Sequence, residues 1–402
     1  MNLLTIIIKS LRQHALSTAI TSASIALAGG LLMAVWVVKE QSHQAFTQNN
    51  AGFDAVLGAR SSKLQLVLNS IFHVEESPGN MAWNDYLEIR KNPNVEAAVA
   101  IAVGDNYRGY RLVGVTSNLF TQVEYAPGKR FEVAPPGRLF DPELREAVVG
   151  SFAAQRLGLR YGDTFHPYHG LNFNEKEQHQ ETYVVVGILK PSNTPADRVI
   201  WIPLEGLQKM SGHDARAATD VSAALVKLKG SGQAGFRLDL LYNKQGNRLT
   251  FAWPVGRIMA QMFDKISWFD RVLTMIAYLV AVVAAGSILA SIYSSMNERK
   301  RDIAIMRALG ARRFTVFSMI MLEAAAIAAL GMAAGFLVYG GIAFTAAELM
   351  RAQTGVVLSP LAFNKVMIWA PAGMIGLAAL AGFVPALKAY RTPVADHLTP
   401  VS

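Results

Sequence analysis

The sequence predicts an α+β membrane protein, with four transmembrane helices and a large α+β extracytoplasmic domain between the first and the second. Three observations carry this. The 402 residues are 52% hydrophobic and 17% charged, with a mean hydropathy of +0.26, too apolar for an average soluble domain. Four segments each hold the roughly 20 apolar residues that cross a bilayer. Between the first two lies a long stretch of mixed composition with strand-like runs and turn signals.

In chain order, residues 1–15 form a cytoplasmic segment and 16–38 the first span. The "ALA" at 26–28 resembles a signal-peptide cleavage site, but the apolar run continues well past it, longer than a usual signal core. An uncleaved anchor is therefore expected. Residues 39–269 form the extracytoplasmic domain. Its strand candidates are "AAVAIAV" (97–103), "YRLVGV" (110–115), "TYVVVGIL" (182–189) and "RVIWIPL" (198–204). The turn signals "SPGN", "PPGR" and "KGSGQAG" separate them. Helices are expected at 83–91, 144–157 and 204–210. The stretch 145–212 reads as a β-rich subdomain inserted in the remainder. Residues 59–80, apolar for an exposed segment, fit packing at the membrane-proximal base of the domain or contact with a partner or lipid; packing into the core is the reading expected.

The second span is 272–293, the third 314–344 and the fourth 366–387. A charged loop (296–313), a short extracytoplasmic loop (345–365) and a cytoplasmic tail (388–402) complete the order. Basic residues set the orientation. Lys9 and Arg12 precede the first span. Arg299, Lys300, Arg301, Arg307, Arg312 and Arg313 lie in the charged loop, and Lys388 and Arg391 follow the fourth span. The opposite loop holds only Arg351 and Lys365. Both termini are thus expected in the cytoplasm. The net charge of +9 is explained by these anchoring residues, so nucleic acid is not expected as a partner. The chain has no cysteine, which excludes disulfides and thiolate chemistry.

No G-x-x-x-x-G-K-[ST], G-x-S-x-G or H-E-x-x-H pattern occurs, and nothing points to an enzyme. Two other features carry chemistry. The loop "MNERKRDIAIMRALGARR" (296–313) is charged but has an apolar stripe. As a helix it turns Ile305, Met306 and Leu309 to one side. Lys300 and Arg307 fall opposite, Ile303 lies nearer to them, and Gly310 is the expected stop. Spacing alone fits both a basic helix at the membrane edge and a helix docking a cytoplasmic partner. The second feature is the density of histidine in "HPYHGLNFNEKEQHQE" (166–181). His169, His179 and, further on, His213, with Glu175 or Glu177, are zinc-compatible donors; a plain polar loop has the same composition.

The stretch "ERKRDIAIMRALGARRFTVFSMIMLEAAAIAALGMAAG" (298–335) resembles the signature of MacB/FtsX-type permeases, the membrane subunits of one class of ABC transporter. Asp302 stands where Glu is commoner. The ending "VPALKAYRTPVADHL" (384–398) and the opening "LLTIIIKSLRQHALSTAITSASIALAGGLL" are also similar to that family. The resemblance implies a MacB-like periplasmic core domain between spans one and two and a bacterial inner-membrane location. It implies that Glu298, Arg299, Arg301, Asp302, Ile303, Ile305, Met306, Arg307, Leu309 and Gly310 form a coupling helix docking on a separate ATPase chain. That chain would carry ATP and magnesium. ATP-driven closure would then move the spans and do work on the periplasmic domain, for export or extraction of a substrate. A second permease copy, most simply an identical one, would pair with this one among the membrane lipids. A periplasmic adaptor or substrate protein would be a further partner. An FtsX-like regulator of a periplasmic partner, or a zinc-linked ABC system, would use the same architecture.

Glu323, in the third span, also matches the family. An acid at mid-membrane costs roughly 2.5–3.5 kcal/mol, so it reads as a polar contact coupling span to loop; an acid snorkelling to the interface is the other reading. Gly331 and Gly335, and Ala378 and Gly382, form small-xxx-small pairs for close helix packing.

Overall fold

The computed structural model describes residues 3–48, 50–211, 219–230, 232–298, 300–308 and 310–391. The chain forms two compact units. One is helical: Met1–Gln41, Ser267–Ala347 and Ser359–Ser402. The other is α+β: Ser42–Ile266 together with Glu348–Leu358.

The helices are α1 (Leu3–Gln13), α2 (Ala15–Gln48), α3 (Lys63–Ser70), α4 (Trp83–Lys91), α5 (Asn118–Gln122), α6 (Ser151–Leu157), α7 (Leu204–Gln208), α8 (Gln233–Asp239), α9 (Val255–Glu298), α10 (Lys300–Ala308), α11 (Arg313–Thr354) and α12 (Val366–Arg391). Of these, α2, α9, α11 and α12 are long and apolar enough to cross a membrane. Each contains one of the four spans read from sequence. In the helical unit their inward residues, among them Ile25, Met33, Ile288, Ile327 and Met332, form one buried cluster. Leu279, Val282, Val283, Leu337 and Trp369 face outward and exposed. A bilayer makes that arrangement favourable, because lipid tails solvate apolar side chains.

The N-terminal segment is itself a helix. α1 buries Ile7 and Ser10 and packs Leu11 on the helical core, while Lys9 and Arg12 are not buried. That amphipathic pattern suits a membrane surface.

The strands of the α+β unit are β1 (Ala55–Ala59), β2 (Val95–Tyr107), β3 (Tyr110–Val115), β4 (Glu124–Ala126), β5 (Lys129–Arg130), β6 (Glu146–Val149), β7 (Thr164–Phe165), β8 (Tyr168–His169), β9 (Tyr183–Ile188), β10 (Ile200–Pro203), β11 (Ala223–Leu228) and β12 (Leu249–Ala252). One mixed sheet runs β12-β1-β11-β2-β3-β10-β6-β9-β7, and β8 pairs with the far end of β2. β3–β10 and β6–β9 are parallel pairs. β2 is apolar and buried over most of its length, as a central strand covered on both faces should be. Tyr86 and Ile89 from α4 join Leu57, Leu112, Ile202 and Phe251 in a continuous core.

Three expectations are corrected. Residues 145–212 do not close on themselves: β10 pairs with β3 as well as β6, and the core is shared. The expected helix 144–157 is a strand, β6, followed by α6. "EAVV" is β-branched at its end and fully buried, and burial in the sheet overrides helix periodicity. The loop 345–365 is largely the continuation of α11, and Glu348–Leu358 is part of the α+β unit. There Arg198 Nε donates to the Ala352 carbonyl at 2.8 Å. Residues 59–80 hold α3, whose Leu66 and Val67 are buried against β1 and β12, as the core reading expected.

Candidate functional site

α10 follows α9 directly and ends in a complete C-cap. The Gly310 N–H donates to Arg307 O at 3.1 Å and the Ala311 N–H to Met306 O at 3.0 Å. This paired pattern needs a left-handed residue, and Gly310 has φ +100°. The side chains described here are Ile303 and 305–308. Ile303 packs on the core of the helical unit, whereas Ile305 is 42% exposed. Met306 and Arg307 are half-buried. The helix therefore has an apolar contact inward and another apolar side chain offered outward. Arg299 and Leu309 lie outside the described residues. Glu298, Arg301 and Asp302 fall on helical backbone.

Glu323 is only 8% exposed and accepts a hydrogen bond from Ser10 Oγ of α1. It is therefore held among helices rather than at their rim. The small residues close the same bundle. A methyl on Gly331 would stand 2.7 Å from Ile25 Cβ and 2.9 Å from the Ser22 carbonyl oxygen. On Gly335 it would meet the Ala26 carbonyl at 3.3 Å. Gly382 faces Ala324, and Ala378 is buried. Gly30, which the sequence reading passed over, lies against the Gly335 carbonyl.

In the α+β unit the structure brings His169 and His179 together on an acid that the reading did not include. Asp105 Oδ1 lies 3.4 Å from His169 Nδ1 and 3.4 Å from His179 Nε2. The rings of His169 and His179 are 5.5 Å apart. Asp105 pairs with His169 across the β2–β8 ladder. A bulge between Val103 and Asp105 re-aims the strand there, as bulges do. His179 is fixed by its N–H, which donates to Pro167 O at 2.9 Å. Asn106 Nδ2 donates to the Gly170 carbonyl at 2.9 Å and so holds the start of the strap 170–178. Nearby, burial raises the Tyr183 phenol above its ordinary pKa; Glu181 and Asp105 add to the rise and Arg145 opposes it. Glu175 and Glu177 do not join the cluster. They stand on an exposed 3-10 turn, while the cluster sits at the foot of the strap against β2. His213 lies outside the described residues. His166 instead places Nδ1 3.2 Å from the Glu181 carbonyl.

Comparison with known proteins bears on both units. Residues 18–234 match the MacB-like periplasmic core domain family, and 274–394 match the FtsX-like permease C-terminal family. The chain belongs to the FtsX-like permeases with a MacB-like periplasmic core domain. Similar proteins include the macrolide export ATP-binding/permease protein MacB of Shigella boydii, 25% identical over 328 residues. The MacB of Escherichia coli K12 is 24% identical over the same length. These matches cover 79% of this chain but 46% of the relatives, so the chain spans about half the length of the curated relatives it matches. The crystal structure of the periplasmic region of MacB from Actinobacillus actinomycetemcomitans is similar at 12% identity and a TM-score of 0.36. It covers 54% of this chain and 96% of that one. Four apolar helices and this family fit a bacterial inner-membrane protein. In the permease, α10 and Glu323 fall in the FtsX-like match, and Asp105, His169 and His179 in the core-domain match.

Proposed function

We propose that this permease is the membrane subunit of an ABC transporter complex, coupling ATP hydrolysis on a separate ATPase chain to mechanical work by its external domain. One observation carries this reading: the charged segment between the membrane-crossing helices α9 and α11 folds as its own short helix, α10, which packs Ile303 on the helical core and leaves Ile305 42% exposed. α10, between α9 and α11, is the contact for the ATPase. Two permease copies pair over two ATPases, with both termini cytoplasmic and ATP and magnesium held by the partner. A periplasmic adaptor or substrate protein receives the motion, which serves export or extraction.

The test is co-expression with a candidate ATPase encoded beside this gene. Ile305→Asp should reduce ATPase co-purification and permease-stimulated ATP hydrolysis at least tenfold, with unchanged elution on size exclusion. Retention of both would remove α10 as the docking element. In the cysteine-free background, Lys176→Cys should react with an impermeant thiol reagent in intact spheroplasts and Ala308→Cys should not. The reverse pattern would overturn the orientation.

A further inference from the structure

We propose that Asp105, His169 and His179 form a three-ligand site for zinc or a zinc-like divalent cation at the foot of the strap 170–178. The ligand atoms all lie within 4.8 Å of one another. Tetrahedral zinc holds nitrogen and oxygen donors at about 2.0–2.1 Å, which sets them about 3.3–3.4 Å apart. Asp105 Oδ1 already stands at 3.4 Å from each imidazole nitrogen. Only a small approach of the two rings closes the third edge. Two imidazoles and a carboxylate are a borderline donor set, suited to zinc and its neighbours rather than to calcium or magnesium, which prefer all-oxygen shells.

The backbone supports the placement. Each donor comes from a different segment: the bulged end of β2, the end of β8, and the residue at which the strap rejoins the sheet. Asp105 is fully buried and the His179 side chain 5% exposed, whereas that of His169 is 51% exposed. The set is therefore open on one side. A structural zinc is closed by four protein ligands; three ligands leave a position for water or an incoming donor. The ion would be exchangeable, and it would tie both ends of the strap to the central strand. Binding at this site does not depend on the ATPase reading.

The experiment uses the full-length permease in detergent, because Glu348–Leu358 belongs to the α+β unit and an excised domain lacks it. The protein carries an affinity tag without histidine and is stripped with a chelator. Zinc is titrated by calorimetry, and cobalt is added as a spectroscopic probe whose visible bands report tetrahedral geometry. The wild type should bind one zinc per chain with Kd below about 10 μM and give the tetrahedral cobalt spectrum. His169→Gln, at an exposed side chain, should weaken zinc at least tenfold with unchanged circular dichroism. Asp105→Asn and His179→Gln should do the same. His166→Gln, three residues before His169 but outside the cluster, should leave binding unchanged. Equal binding by the wild type and His169→Gln, an octahedral cobalt spectrum, or an equal loss on His166→Gln would each overturn the site.

Discussion

The two units are closed in different ways. The α+β unit is filled: Tyr86, Phe251 and Ile89 occupy its interior. The helical unit has an apolar core of its own, but where α2 and α11 meet, Gly30, Gly331 and Gly335 carry no side chain, so the two backbones touch. The difference follows from the solvent each one meets. In water, burying apolar area stabilises by about 25 cal/mol per Å². In lipid that drive is absent between apolar helices, and close approach with polar contacts replaces it. The bond from Ser10 to buried Glu323 is such a contact.

The contrast can be broken by experiment. Phe251→Ala should cost the most, about 3–5 kcal/mol, read as the urea midpoint of the α+β transition in detergent. A loss under about 1 kcal/mol would show that the core is not tightly filled. Gly331→Val should cost about 1–3 kcal/mol by overpacking and lower the thermal transition of the helical unit. Gly286→Val, where an added Cβ meets nothing within 4 Å, should have little effect. Equal responses would mean that the small residues are not contact points.

The smallest effect sharpens the contrast through pH. Buried His73 is held neutral, its pKa lowered to about 3 by burial first and then by Arg111 and Arg198. The unfolded chain binds a proton near pH 6.5 that the folded one refuses. Stability is therefore present above that pH and is lost on acidification toward pH 3, at up to about 1.4 kcal/mol per pH unit. At pH 5.5 the α+β unit should be weaker by about 1.4 kcal/mol, and His73→Asn, which tolerates the local φ of +55°, should flatten that slope. An unchanged slope in His73→Asn would assign the acid sensitivity elsewhere.

Much of this was legible from periodicity. Four apolar runs gave four long helices, and "YRLVGV" and "WNDYLEIRK" are strand and helix to the residue. Local pattern failed where distant residues decide. "EAVV" became a strand only because β9 and β10 flank it. Asp105 is remote from "HPYHG" in sequence, and the β2–β8 ladder alone brings it there. Its one signal was an acid ending the apolar run "AAVAIAVGD". Ile303 was placed with the charged side of its helix, yet it packs on the helical core, because neighbouring helices rather than the helix's own pattern choose the inward face.

The segment Glu348–Leu358 has a consequence for biosynthesis. It supplies buried Val356 and Leu358 to the α+β unit, and Gly355 lies against Pro195. Yet it is translated about ninety residues after Ile266, the end of that unit's main stretch. At roughly 5–20 residues per second, the nascent domain waits on the order of 5–20 s with an apolar notch open. Its completion thus waits for the synthesis of α11, whose last turns it contains.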